Sequence, residues 1–310
     1  LAIVLLGTIG TIAFGFPLLV ALLFATIVLP TDPAAVLSIF EELDVSERLA
    51  VTIEGESLLN DGVAVVIFST LLGAFEAGSV ASLATLGELT GIAVDIAVVG
   101  GVGLALGAAV GYLAHGLMRR LEDDMSVLLL TVLVAYGSFL LAEHSLGLSG
   151  ILAVVGAGLL MGAHEETHHK MRTSEYYVQQ FWTTAAFLVT TVLYVLIGAE
   201  IPVGAFVRYA DLVAVAAVLV VLVRAATIYP LVAATNRVGG RPVPRYCQHV
   251  MVWGGLHTVV PIALVLSLPA AVPFREELRV MVFGVAVVSI VVQGLLMPAL
   301  LARLGLGADD

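Results

Sequence analysis

Long apolar runs separated by short polar joints organise this chain from end to end. Their lengths and spacing predict about ten helical segments, at roughly 1–16, 17–43, 48–75, 90–117, 125–143, 147–163, 177–200, 211–235, 247–268 and 278–303. A helix crosses the hydrocarbon core with ~20 apolar residues. Only helices and closed barrels satisfy their backbone in lipid, and these runs are too long for barrel strands of ~10 residues. The joints run from Glu41 to Glu47, Arg119 to Asp124, His164 to Glu175, Asn236 to Arg245 and Pro273 to Glu277. None has room for a separate soluble domain. The expected fold is an all-α integral membrane protein, with residues 1–310 forming one transmembrane domain.

Composition makes lipid the main solvent. Hydrophobic residues are 60% of the chain and charged residues 12%, about half the ~25% that a soluble domain carries. The net charge of −11 argues against nucleic acid as a partner, which needs clustered basic residues. Cys247, the single cysteine, excludes an internal disulfide framework and a cysteine-based zinc site. The chain starts at Leu1, inside an apolar run and with no charged leader, which reads as a chain whose first part is missing.

Basic residues set the expected orientation. If the segments alternate, Arg48, Arg119, Arg120, Lys170, Arg172, Arg237, Arg241, Arg245 and Arg303 share one side of the membrane. Only Arg208, Arg275 and Arg279 fall on the other. The first side, and with it the C-terminus, is expected to be cytoplasmic. The remaining basic residue, Arg224, falls inside a span.

Two patterns inside the runs matter. Gly103, Gly107 and Gly111 form a small-residue stripe, which reads as close helix packing. In Pro30-Thr31-Asp32-Pro33, two prolines flank an acid in the middle of an apolar run. Proline removes helix hydrogen bonds, and a helix broken at mid-membrane is tolerated only beside protein or water.

The chemistry concentrates in Glu54-Gly55-Glu56-Ser57-Leu58-Leu59-Asn60-Asp61-Gly62, within a run that otherwise spans the membrane. A carboxylate at helix centre costs roughly 2.5–3.5 kcal/mol on insertion scales, so it needs a task or a partner. Helical spacing puts Glu56 and Asn60 on one face, and Ser57 and Asp61 on a neighbouring one. Arg224 is the only basic residue at similar depth, so Glu56 is expected to pair with it, with Asn60 close by. Ser57 and Asp61 are then left to face a cavity with oxygens of the Thr31-Asp32 segment. Hard cations take oxygen ligands, and a proton competes with a metal for a carboxylate. The plain alternative is that Glu56, Asp61 and Arg224 only fix helix packing.

These residues resemble the sodium/proton exchanger family of monovalent cation:proton antiporters, of the NhaP type. The resemblance rests on Thr31-Asp32-Pro33-Ala34-Ala35-Val36 followed by Glu54 to Gly62. It continues through Ser149-Gly150-Ile151-Leu152-Ala153-Val154 to Gly158, Ile197-Gly198-Ala199-Glu200, Arg224 through Tyr229-Pro230, and Trp253-Gly254-Gly255-Leu256. It implies a fold of about thirteen helices in two inverted repeats, whose interrupted helices cross at the bilayer centre. Here the interrupted helices are segments 17–43 and 247–268, the latter unwinding near Gly254-Gly255, and roughly three helices precede the chain's start.

By the same resemblance, the ion-transport core is approximately 1–75 and 211–304, and helices of approximately 88–200 belong to the dimerisation half. Asp61 is the shared cation and proton site, Ser57 and Thr31 help to ligate the ion, and Glu56 and Arg224 form a supporting salt bridge. Asn60 before Asp61 goes with electroneutral exchange. The implied protein is a transporter and not an enzyme, a homodimer in the cell membrane that moves Na+ or Li+ against H+ without a cofactor or resident metal. The family often has Arg-Gly after Gly-Gly-Leu, where this chain has His257-Thr258. A histidine does not guarantee a positive charge at neutral pH, so compensation of the crossed helix ends, or the pH response, is expected to differ. A satisfied polar residue is the plainer reading of His257.

Two rival readings remain. His164-Glu165-Glu166-Thr167-His168 fits H-E-x-x-H, the zinc-peptidase pattern. It lies in a polar linker beside His169, Lys170 and Arg172, shows no third ligand, and reads better as a solvated loop. A passive cation channel could use the same oxygen ligands, but a carboxylate in a dead-end site fits alternating access better than a continuous pore.

Overall fold

The computed structural model describes residues 1–43, 45, 47–76, 86–121, 123–162, 171–200, 203–238 and 242–306. Among them the chain forms, in order, α1 (Ala2–Phe14), α2 (Leu18–Val28), α3 (Ala34–Glu42), α4 (Glu47–Glu76), α5 (Leu86–Met118), α6 (Asp124–Leu140), α7 (Gly150–Gly162), α8 (Met171–Glu200), α9 (Val203–Arg208), α10 (Ala210–Val238), α11 (Arg245–Trp253), α12 (Val259–Ser267), α13 (Arg275–Val288) and α14 (Leu295–Arg303). Short π-helical turns, Leu141–Ser145 and Ser289–Gly294, extend α6 and join α13 to α14.

Among the described residues, six helical stretches are long and apolar enough to cross a membrane: Glu47–Glu76, Ala93–Met118, Asp124–Ser145, Tyr176–Val195, Ala210–Val238 and Arg275–Arg303. Three shorter apolar helices, α1, α2 and α7, accompany them. The protein is a multi-pass membrane protein. Of the ten expected segments, 17–43 and 247–268 each divide into two short helices. The short helix α9 lies in the gap between the expected segments 177–200 and 211–235.

The chain divides into two compact units, Leu1–Ala64 with Leu196–Asp310, and Val65–Val195. In the first unit α2 is buried almost all round, from Leu19 to Val28, as expected of a helix with no polar face. It stops at Val28 because Pro30 and Pro33 cannot donate to the helical ladder. The α11 helix stops at Trp253, before Gly254, and the chain re-enters a helix only at Val259. The two interruptions touch: Asp32 and Leu256 form a single antiparallel bridge, in which the Asp32 amide donates to the Leu256 carbonyl at 2.7 Å.

In the second unit α5 and α7 lie backbone to backbone. A Cβ on Gly107 would stand 1.8 Å from the Ala153 carbonyl oxygen, and one on Gly156 would stand 2.2 Å from that of Leu104. The stripe read from the sequence is a helix-packing device. Ala114, Met118, Val127, Leu130, Val134, Ala157 and Met161 form a buried cluster of α5, α6 and α7.

Candidate functional site

Breaking α2 from α3 strands backbone carbonyls that a continuous helix would satisfy, and in a membrane each must find a donor. Helix α4 supplies two. Asn60 Nδ2 donates to the Leu29 carbonyl at 2.8 Å, and the Ser57 hydroxyl donates to the carbonyl of Thr31. In return the Thr31 amide donates to Asp61 Oδ1 at 3.0 Å. Ser57 and Asp61 share a face of α4 because they are four residues apart, so both reach the same break.

Thr31 and Ser57 are buried and Asp61 is half-buried. The Thr31 hydroxyl oxygen has no hydrogen-bond partner among the described residues. Asp32 is engaged differently. Its Oδ1 accepts from the Ala34 amide at 3.0 Å, helping to start α3, and its Oδ2 accepts from the Thr258 hydroxyl at 2.6 Å.

On the neighbouring face of α4, Glu56 Oε2 lies 2.7 Å from Arg224 Nη2. Arg224 comes from α10, is only 5% exposed, and also donates from Nε to the Met251 carbonyl at 2.9 Å. Its guanidinium lies against the second break, where a Cβ on Gly255 would fall 2.4 Å from Nε. Glycine is therefore required there by close approach. His257 is fully buried, with Nδ1 3.0 Å from the Pro30 carbonyl and its amide donating to Ser289 Oγ at 3.0 Å.

The structure thus gathers Thr31, Asp32, Glu56, Ser57, Asn60, Asp61, Arg224 and His257 in one unit, around two helix breaks. The motif His164–His168 lies outside the described residues. Sequence reasoning missed Thr258, Ser289 and the pair Trp253 and Gln293, which exchange bonds of 3.1 and 3.0 Å. One signal was available: Ser289 and Gln293 stand four apart in an otherwise apolar run.

Chemically, a carboxylate, hydroxyls and broken-helix backbone in a partly dry setting are an oxygen-rich environment of the kind that suits a small hard cation. Residues 1–303 match the family model described as sodium/hydrogen exchanger, transmembrane. The chain is 35% identical over 295 residues to the Na(+)/H(+) antiporter ApNhaP of Aphanothece halophytica, covering 95% of this chain and 55% of that protein. It is 35% identical over 289 residues to the Na(+)/H(+) antiporter NhaP of Pseudomonas aeruginosa, covering 92% and 66%. To the Na(+)/H(+) antiporter NhaH of Halobacillus dabanensis it is 30% identical over 311 residues, covering 97% and 72%. It therefore spans about half the length of ApNhaP, 66% of the Pseudomonas aeruginosa protein and 72% of the Halobacillus dabanensis one. The solved structure of the sodium proton antiporter MjNhaP1 from Methanocaldococcus jannaschii at pH 8 superposes with a TM-score of 0.77, covering 98% of this chain and 75% of that one. At 19% identity that likeness shows the fold.

Proposed function

The chain belongs to the sodium/hydrogen exchanger family, and we propose that it is a secondary antiporter exchanging Na+ or Li+ for H+ across the cell membrane by alternating access. Asp61 is the shared site. The observation that carries this reading is the Asp61 carboxylate, half-buried within a span and held by the amide of a broken helix. Protonated, Asp61 holds H+; when that proton leaves, the carboxylate takes one monovalent cation. The two ions exclude each other, and this exclusion alone couples their movements in opposite directions. The Ser57 and Thr31 hydroxyls complete the ligand set, the latter having no competing partner among the described residues.

Asp32, Asn60, Glu56, Arg224 and His257 support the site by fixing the two breaks. Electroneutral exchange follows if Asp61 alone titrates, one proton leaving for each cation bound. The neutral Asn60, already spent on the Leu29 carbonyl, adds no second charge. The meeting of two interrupted helices through Asp32 and Leu256 supports an inverted-repeat core, made of approximately 1–75 and 211–304. Helices of approximately 88–200 belong to the dimerisation half of a homodimer, and the C-terminus is cytoplasmic. The zinc-peptidase and channel readings gain no support from the relatives.

The test uses the full-length protein in proteoliposomes. Adding sodium or lithium moves protons in the opposite direction, and Asp61→Asn abolishes this. A potassium diffusion potential imposed with valinomycin leaves the rate unchanged if exchange is electroneutral. Undiminished exchange in Asp61→Asn sinks the shared-site mechanism.

A further inference from the structure

His257 stands where the two helix breaks meet, and its bonds have a direction that can be deduced. A carbonyl oxygen only accepts, so the 3.0 Å contact between Nδ1 and the Pro30 carbonyl places a proton on Nδ1. In a neutral ring Nε2 then carries a lone pair, and Nε2 is buried without a partner among the described residues. Behind the ring, the His257 amide is anchored to Ser289 in the π-helical turn between α13 and α14.

The Pro30 carbonyl and the Thr31 amide are two ends of one peptide unit, which is planar and rigid. One end accepts from His257 Nδ1; the other donates to Asp61 Oδ1 at 3.0 Å. Rotating this plane breaks both bonds together. Bonds in series through one amide also polarise one another.

We propose that His257 is a positioning residue of the cation site, setting the Pro30–Thr31 peptide plane and through it the donor that holds Asp61. The proposal rests on Asp61 being the cation site, but its geometric half does not. The plane also carries the Thr31 side chain, so the same bond places the hydroxyl assigned as a ligand. The histidine that departs from the family's usual arginine thus acts through its Nδ1 donor, whatever its charge.

The experiment separates the two ring nitrogens. An asparagine side chain offers its amide near the place of Nδ1, whereas glutamine reaches toward Nε2. In proteoliposomes of the full-length protein, His257→Leu and His257→Gln raise the sodium KM roughly tenfold, the lower end of losses for groups that orient metal ligands, while kcat changes by less than about twofold. His257→Asn restores the KM to within about twofold of the parent, the precision that separates it from a tenfold loss. A merely space-filling role predicts no advantage of Asn over Leu, and that result overturns the proposal. A second readout needs no transport: solid-state nitrogen NMR of histidine-labelled protein in bilayers, with the His257 signal assigned by its loss in His257→Asn. An Nδ1-protonated ring is expected, and an Nε2-protonated neutral ring overturns the proposal. Parent protein that exchanges nothing refutes the antiport reading instead, and leaves the NMR result to decide this one.

Discussion

The Thr31 amide and the Asp61 carboxylate, thirty positions apart in the chain, meet at 3.0 Å and tie an interrupted helix to an unbroken one. The bond uses backbone, so side-chain substitution at Thr31 leaves it in place and isolates what the hydroxyl does.

That hydroxyl is 97% buried with its residue and has no partner among the described residues. An unsatisfied buried polar group costs about 1–3 kcal/mol, so an entirely structural site would be better served by valine. Thr31→Val is expected to keep or raise the thermal midpoint in detergent while raising the sodium KM roughly tenfold, as loss of a cation ligand or its orienting group does. Thr31→Ser keeps the KM near that of the parent. A lowered midpoint with unchanged KM assigns the hydroxyl to folding and removes it from the ligand set.

Arg224 and Glu56 give a different prediction. Arg224 is buried and Glu56 only partly so. Removing one partner of a fully buried ion pair costs about 3–5 kcal/mol, which is an upper bound here, whereas replacing both by apolar residues costs much less. Arg224→Met and Glu56→Met should each lower the unfolding midpoint in micelles, and the double variant should lie above the sum of the two losses. Arg224→Lys is not expected to rescue, because the bond from Nε to the Met251 carbonyl needs the guanidinium. Strictly additive losses in the cycle argue against energetic coupling of the pair.

The parts of this site that are local in sequence were legible there. Pro30 and Pro33 announce the break, and four-residue spacing puts Ser57 and Asp61 on one face of α4. The same spacing groups Asn60 with Glu56, whereas Asn60 Nδ2 bonds the Leu29 carbonyl at the break, beside Ser57 and Asp61. Arg224 stood out as the lone cation at its depth. The closing contacts were not legible: the Thr258 hydroxyl reaches Asp32 across 226 positions, and nothing in periodicity sets which carbonyl a distant imidazole meets. The run 278–303 shows the same limit. Its hydropathy reads as one helix, yet Ser289–Gly294 is π-helical. Pro298 lacks the amide that would bond Gly294, but an apolar count does not register a change in helical pitch.

Packing of α5 on α7 makes a stability prediction with an internal control. A Cβ on Gly107 would lie 1.8 Å from the Ala153 carbonyl oxygen, which belongs to backbone and cannot turn aside, while one on Gly101 meets nothing within 4 Å. Gly107→Ala is expected to lower the unfolding midpoint by forcing α5 off α7, since overpacking costs about 1–3 kcal/mol or more. Gly101→Ala, in the same helix, should be neutral or stabilising, because alanine is the better helix former. Equal effects of the two variants dismiss the close-approach account.

The start of α6 supplies the pH-dependent case. Asp123 precedes the helix in extended backbone, and its Oδ1 accepts from the Ser126 amide at 2.8 Å. The Ser126 hydroxyl, and next its amide, hold the Asp123 carboxyl below the ordinary aspartate range. A depressed value in the folded state means the ionised form favours folding. The contribution is therefore complete above the ordinary aspartate value and fades as pH falls through the lower, folded one. Asp123→Ala should lower the unfolding midpoint near neutral pH, and the gap to the parent should narrow in acid to that of an uncharged cap. Asp123→Asn retains an uncharged cap, so its advantage over Asp123→Ala should be the same at every pH. Thermal unfolding of the three proteins in one detergent, from neutral to strongly acid buffer, checks this. A gap between parent and Asp123→Ala that does not change with pH means that the carboxylate does not stabilise α6 through its charge.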